Sequence, residues 1–443
     1  MPANPDVAVV GAGLSGLSAA RVLERAGFEV LVLEARDRPG GRTAVTGVDG
    51  VVVDLGGEWI DAAHTEIRHL ADELGLRLVP SKRSKERGRW FVRGALTDGM
   101  PLSERDAAVY EKMNAALVEA ASGVDLDESW RGAPPAGADA SVEGWLRNAG
   151  MGEGGIHAIE TLASTCGSTV PLDRMSFYSY AVKVATRGGP GKGNEYRVEG
   201  GAGGIPEALA TELADAGAEV RYSSPATEVR QTDGRVEVRY QGPEGPEVIC
   251  ARKAILALPF TCYRDIRFDP PPPPVIRQLI PGSVYGVVRK MHFVFDEPVD
   301  ASAFTLTDTI LGYCSVAQLG ADDIGGIVSF CGGRPLLPEL GRPPEERKTN
   351  AVRLLRELYD VPEPVAVTEK VWPDEYWTRG SYMIMAPGNM ALFGEAMGTG
   401  FGDVRLAGAE GFAAAPSFMN SAVRSGIRTG REIAETLGAV HAR

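Results

Sequence analysis

The chain has 443 residues, more than one hydrophobic core normally serves, so two domains are expected. Hydrophobic residues make up 44% and charged residues 24%, which excludes wholesale disorder, and no apolar run approaches a membrane span. The formal charge of -13 repels phosphate backbones and argues against nucleic acid as a partner. Asp6 and the glycines from Gly11 interrupt the first apolar stretch and no basic head precedes it. No signal peptide is therefore read, and a cytoplasmic location is expected. Cys166, Cys250, Cys262, Cys314 and Cys331 are odd in number, without C-x-x-C spacing, and read as free thiols in a reducing compartment. The histidines are scattered, and no metal is assigned.

In chain order, the apolar run Val7–Val10 reads as a buried strand, and Gly11-Ala12-Gly13-Leu14-Ser15-Gly16 follows at once. Leu17 to Ala26 then reads as a helix stopped by Gly27, and Val30–Leu33 as a second strand ending in Glu34. This is a complete βαβ dinucleotide fingerprint. Gly11 permits the turn, Gly13 lets backbone approach a pyrophosphate, and Gly16 lets helix and strand pack closely. The free N–H groups of the helix start, with Ser15 among them, suit a diphosphate. Glu34 can accept both ribose hydroxyls and repels a 2′-phosphate. The run Ala35 to Thr43 is a polar, glycine-bearing turn. Its Arg36 and Arg42 can neutralise phosphate, and Gly40-Gly41 allow close approach.

The run VVGAGLSGLSAARVLERAGFEVLVLEARDRPGGRT resembles the N-terminus of the flavin-containing amine oxidase superfamily. The superfamily includes monoamine and polyamine oxidases, L-amino-acid oxidases and 6-hydroxynicotine oxidase. The resemblance implies FAD and an α/β fold, a Rossmann-like FAD-binding domain interleaved with an α+β substrate-binding domain. Residues 1–80, 196–282 and 388–443 are expected to form the first, and 81–195 and 283–387 the second.

Further along, Asp54 to Ile60 resembles the family's next block, whose Gly56-Gly57 turn lies beside the isoalloxazine. Helices are predicted over His64–Leu74, Leu102–Ala121 (Ser103 capping, Asp106 three on) and Ser141–Ala149, with an exposed loop at Gly132–Ala140. The aromatic-rich Leu172–Ala185 is read as helix core in preference to pocket wall. Tyr196 to Ile205 resembles another family block before a helix over Pro206–Ala216. Strands are predicted at Ala218–Tyr222, Ala226–Gln231 and Val236–Tyr240, with a turn at Asp233-Gly234. The resemblance implies that Val229 contacts the adenine end of FAD through its backbone. Ala254–Pro259 reads as the closing strand and Pro270–Pro274 as a stiff spacer. Val284–Phe295 alternates as one strand. By residue pattern alone its Lys290 reads as an edge lysine facing solvent; by resemblance, counting back from Glu297-Pro298, it holds a water to flavin N5. Ser381 stands where some relatives carry a flavin-linked cysteine, so FAD is expected to be non-covalent. Tyr382 and Phe418 match the family's aromatic cage and are expected as two near-parallel rings, with Phe418 replacing a tyrosine. Glu410 is implied at the ribityl–diphosphate region, and the Met419 N–H at flavin O2. The helix that follows is expected to end near Gly438 with no membrane tail.

The activity implied is hydride transfer from the carbon of a C–N bond to FAD, giving an imine, with O2 reoxidising the flavin to hydrogen peroxide. The expected substrate is a small-molecule amine or amide, with secondary metabolites whose imine is captured internally among the classes implied. A homodimer is left open. Two alternatives stay open: a desaturase or protoporphyrinogen-type oxidase, and a non-enzymatic Rab-escort or GDI-like scaffold. Glu58 has two readings. It is a base that accepts a proton from substrate, or a structural acid paired with an arginine such as Arg42.

Overall fold

Val7–Val10 and Val30–Leu33 are buried along their whole length, as strands covered on both faces must be. In the computed structural model they sit at the centre of a five-stranded parallel sheet. The order is Glu219–Arg221, Val30–Leu33, Val7–Val10, Lys253–Leu256 and Val404–Leu406. The structure describes residues 4–81, 84–126, 128–299, 303–317, 325–410 and 417–438, without the side chains of 84–87 and 303. Residues 439–443, on which the expectation of no membrane tail falls, lie outside this set.

Alternation sorts the sheet's side chains into two cores. Val7, Val9, Val30, Val32 and Ile255 face helices Leu14–Arg25, Gly204–Asp215 and Met419–Leu437. Ala8, Val10, Leu31, Leu33, Ala254 and Leu256 face the antiparallel strands Ala226–Thr232, Arg235–Gly242 and Gly245–Ala251. Helix Leu14–Arg25 lies tight against the C-terminal helix. A Cβ on Gly426 would fall 2.1 Å from the Ser15 carbonyl oxygen, and one on Gly430 2.9 Å from that of Ala19.

A second, seven-stranded sheet runs Ala366–Val371, Val288–Val294, Gly326–Gly332, Tyr313–Val316, Ala303–Thr307, Ser84–Val92 and Ala95–Thr97. Met291, Phe293 and Ile327 pack under helix Pro344–Leu358, so the alternate residues Val288, Lys290 and His292 point to the opposite face. Lys290 is thus on an interior strand and buried, which removes the reading of an edge lysine in solvent. The single strand expected over Val284–Phe295 is two. Val284–Tyr285 pairs with Met383–Ile384, and the longer piece begins at Val288. Gly286 marks the break, because a Cβ there would meet the Thr169 hydroxyl at 1.8 Å. Pro274, assigned to a spacer, instead starts helix Pro274–Gly282, where its missing N–H costs nothing. Helix Glu104–Ala120 is capped as expected: the Ser103 hydroxyl accepts from the Asp106 N–H at 3.1 Å. No helix among the described residues is long and apolar enough to cross a membrane.

Candidate active site

A cavity open to solvent on part of its wall runs from the first βα turn to the second sheet. Its lining joins the βα turn to residues of the second sheet and to two aromatic rings, so a dinucleotide and a substrate would share it. Gly11, Gly13, Ser15, Glu34, Ala35, Arg36, Gly41, Arg42, Gly57, Glu58, Lys290, Tyr382, Glu410, Phe418 and Met419 all line it.

The turn is built as a cradle. Gly11 has φ +108°, and a Cβ on it would lie 2.6 Å from the Ala257 carbonyl oxygen. Gly16 does not line the cavity; a Cβ there would overlap the Gly11 carbonyl oxygen at 1.9 Å, so it is the helix-to-turn contact. In front of Gly13 a Cβ would meet nothing within 4 Å, leaving backbone open to a ligand. No side chain caps the helix that Gly13 precedes, and the Ser15 hydroxyl is buried without a partner. Glu34 is fixed by the N–H groups of Ala12 (2.8 Å) and Arg36 (2.9 Å). Arg42 pairs with Glu410 at 2.5 Å, while one guanidinium nitrogen and the carboxylate oxygens lack well-aligned hydrogen bonds. The unpartnered Ser15 hydroxyl and the incompletely satisfied Arg42–Glu410 pair fit FAD, whose diphosphate and hydroxyls would complete them. Val229 lies on strand Ala226–Thr232. It is buried in the core beneath the first sheet, and Ser224, Pro225 and Ala226 line the cavity instead. The strand carries a register irregularity between Ala226 and Glu228, and it meets the cavity only at its start.

At the other end the charges form a closed cluster. Glu58 is ion-paired with Lys290 and, at 2.5 Å, with Arg197. Its predicted partner Arg42 is committed to Glu410. The Lys290 ammonium also donates to the Gly56 carbonyl at 3.0 Å and lies 4.9 Å from the Trp59 ring centroid. Burial pushes the Glu58 carboxyl up, but Arg197 and Lys290 outweigh it and hold the value at about 2. Burial and the Glu58 charge push neighbouring Asp54 up to about 6. Burial and Lys290 push His292 down to about 3, so its ring is neutral. Arg197 carries no motif that singled it out, and only the three-dimensional pairing reveals it.

Across the cavity, the Tyr382 and Phe418 rings have centroids 6.1 Å apart and are tilted by 56°. They are a wedge, not the near-parallel slot expected. Phe330 at 6.1 Å and His64 at 5.2 Å pack against Tyr382 and Phe418 respectively, and hold the tilt. The Thr169 hydroxyl fixes the backbone beneath Tyr382, donating to the Ser381 carbonyl at 2.6 Å and accepting from the Tyr382 N–H at 2.9 Å. Lys183, which the aromatic pattern of its helix conceals, packs against both rings. The signal available was one lysine inside the run Phe177 to Ala185, otherwise apolar, aromatic or small. Phe177, Tyr178 and Tyr180 stay in or against the core, away from the cavity wall.

Residues 14–434 match the profile of the flavin-containing amine oxidoreductases. The chain belongs to that family. It is 30% identical to a putrescine oxidase from Kocuria rosea, over 97% of this chain and 95% of the relative. Among solved structures, a wild-type putrescine oxidase bound to putrescine superposes with a TM-score of 0.88 at 28% identity, covering 98% of this chain and 99% of that one. The cyclohexylamine oxidase of Brevibacterium oxydans IH-35A does so with 0.85 at 25%, again over 98% and 99%. This flavin-containing amine oxidoreductase is therefore an enzyme that uses FAD, and the non-enzymatic scaffold alternative falls. Ser381 lines the cavity and offers no thiol for covalent attachment.

Proposed function

We propose that the protein oxidises the C–N bond of a small amine held between the aromatic wedge and the Lys290 cluster, giving an imine and hydrogen peroxide. The observation that carries this reading is the wedge of Tyr382 and Phe418 lining the same cavity as Lys290. Bound FAD supplies the hydride acceptor and the site at which O2 is reduced. The chain's residues do the rest. Glu34, Arg42, Glu410, the open backbone at Gly13 and Gly41, and the helix start at Met419 would hold the cofactor. Tyr382 and Phe418 orient a neutral amine and exclude water.

Lys290 has three N–H donors. Glu58 and the Gly56 carbonyl take two, which leaves one to hold a water in the cavity. Glu58 is assigned to fixing Lys290. A carboxylate gripped by two cations and held near 2 is a poor proton acceptor at neutral pH. Putrescine, bound by one neighbour, is a natural first amine to try.

The test is anaerobic mixing of the yellow protein with a panel of primary and secondary amines. Bleaching of the flavin, recovery on admitting O2 and stoichiometric peroxide are expected. An aldehyde product marks hydrolysis of the imine, and a cyclic product marks internal capture. A flavin that no amine bleaches refutes the proposal.

A further inference from the structure

The Lys183 ammonium packs against the two cavity-lining rings, 4.7 Å from the Tyr382 ring centroid and 5.3 Å from that of Phe418. Its hydrogen bond goes to the Ser168 hydroxyl at 2.9 Å, and the side chain is buried. Among the described residues it forms no ion pair. The carboxylate nearby, Asp61, is already taken by Arg187 at 2.9 Å and faces His64 at 3.5 Å. Arg187, one turn along the same helix, donates to Asn194 at 3.2 Å and places its guanidinium 5.9 Å from the Phe418 centroid. Lys183, Arg187 and Asp61 therefore gather beside the rings, with Arg42 and Glu58 also acting on Tyr382 from the cavity. The chain's own ammonium sits on the aromatic faces, where a cation is attracted by the ring quadrupole.

We infer that Lys183 sets the charge preference of the substrate site, which takes amines whose far end carries a carboxylate or similar anion ahead of amines with a neutral far end or a second ammonium. This rests on the amine-oxidase reading and departs from it on the diamine. Burial, and then Arg187, weaken the hold of Lys183 on its proton, bringing it down to about 7. An incoming anion would restore that hold and supply the missing ion pair. A second substrate ammonium would instead meet like charge. For a unit charge at about 6 Å and an effective dielectric of about 20–40, pairing with protonated Lys183 favours the anion by about 10- to 100-fold, whereas a second ammonium can displace the Lys183 proton and is disfavoured by only about twofold near neutral pH.

The experiment uses the FAD-loaded enzyme and three amines of one length: 4-aminobutyrate, n-butylamine and putrescine. The kcat/KM for flavin reduction and the Kd by calorimetry are measured for each. The expected order is 4-aminobutyrate, then n-butylamine, then putrescine, with at least about tenfold between the ends. Lys183→Met should compress that range to less than about threefold, and Lys183→Arg should keep it. If Lys183→Met does not fold, the wild-type order and Lys183→Gln decide. Wild-type enzyme that neither binds nor oxidises 4-aminobutyrate better than n-butylamine overturns the inference, as does an order that loss of the lysine charge leaves unmoved. Failure of every amine in a broad panel to reduce the flavin overturns the amine-oxidase reading instead.

Discussion

Replacing Glu58 by Gln separates two roles for the best-buried acid of the cavity. Its side chain is fully enclosed, paired with Arg197 and Lys290, and Asp54 is nearby. Removing one member of a buried ion cluster leaves its partners charged and unpaired, which costs about 3–5 kcal/mol. An amide can still hydrogen-bond the Lys290 ammonium, so about 3 kcal/mol is expected for Glu58→Gln. The assay is urea unfolding at fixed excess FAD and neutral pH, followed by tryptophan fluorescence, beside stopped-flow flavin reduction. The pH dependence has a defined sign. The carboxyl is depressed in the folded chain to about 2 from its ordinary 4.5. Its contribution is full above about 4.5 and is lost as pH falls toward 2, so variant and wild type should converge in that window. A variant as stable as wild type, with flavin reduction cut by about 10²-fold and its pH limb abolished, would refute the structural assignment and make Glu58 a base.

Acid or heat precipitation should release the FAD into the supernatant, because Ser381 offers no thiol; flavin that stays with the peptide contradicts this. Lys290→Met should keep FAD, since Glu58 retains Arg197, but slow turnover about tenfold or more; unchanged rates of flavin reduction and reoxidation would assign Lys290 to structure. Tyr382→Ala should lower the rate of flavin reduction more than FAD affinity, and equal losses in both would place the ring in cofactor binding. Gly16→Ala drives a Cβ into the Gly11 carbonyl and should cost about 1–3 kcal/mol or more, together with FAD content, read by absorbance of the purified protein.

The dinucleotide cradle was legible because its signals are local. A fully apolar strand, three spaced glycines, a helix and a terminal acid fall within the first 34 residues. Lys290 became legible through the resemblance, and the alternation along Val288–Val294 explains why it and not Arg289 turns toward the cavity. The strands Gly326–Gly332 and Tyr313–Val316 were not foreseen. Gly326–Gly332 is buried on both faces and so lacks the polar alternation that marks a half-exposed strand. Lys183 and Arg197 were missed for a different reason. Each acts through partners far away in the chain, and nothing in the local pattern distinguishes a lysine that snorkels to solvent from one that ends on two aromatic rings. The tilt of Tyr382 against Phe418 likewise depends on Phe330 and His64, contacts no motif encodes.

The central claim is that an amine held by this cavity reduces the protein's own flavin. Anaerobic stopped-flow mixing of the FAD-loaded protein with amines, followed at the oxidised-flavin absorbance, tests it most directly. The account predicts saturable bleaching with one imine equivalent formed per flavin, slowed by Tyr382→Ala. Flavin that remains oxidised across primary, secondary and carboxylate-bearing amines, in protein that binds FAD fully, would contradict it.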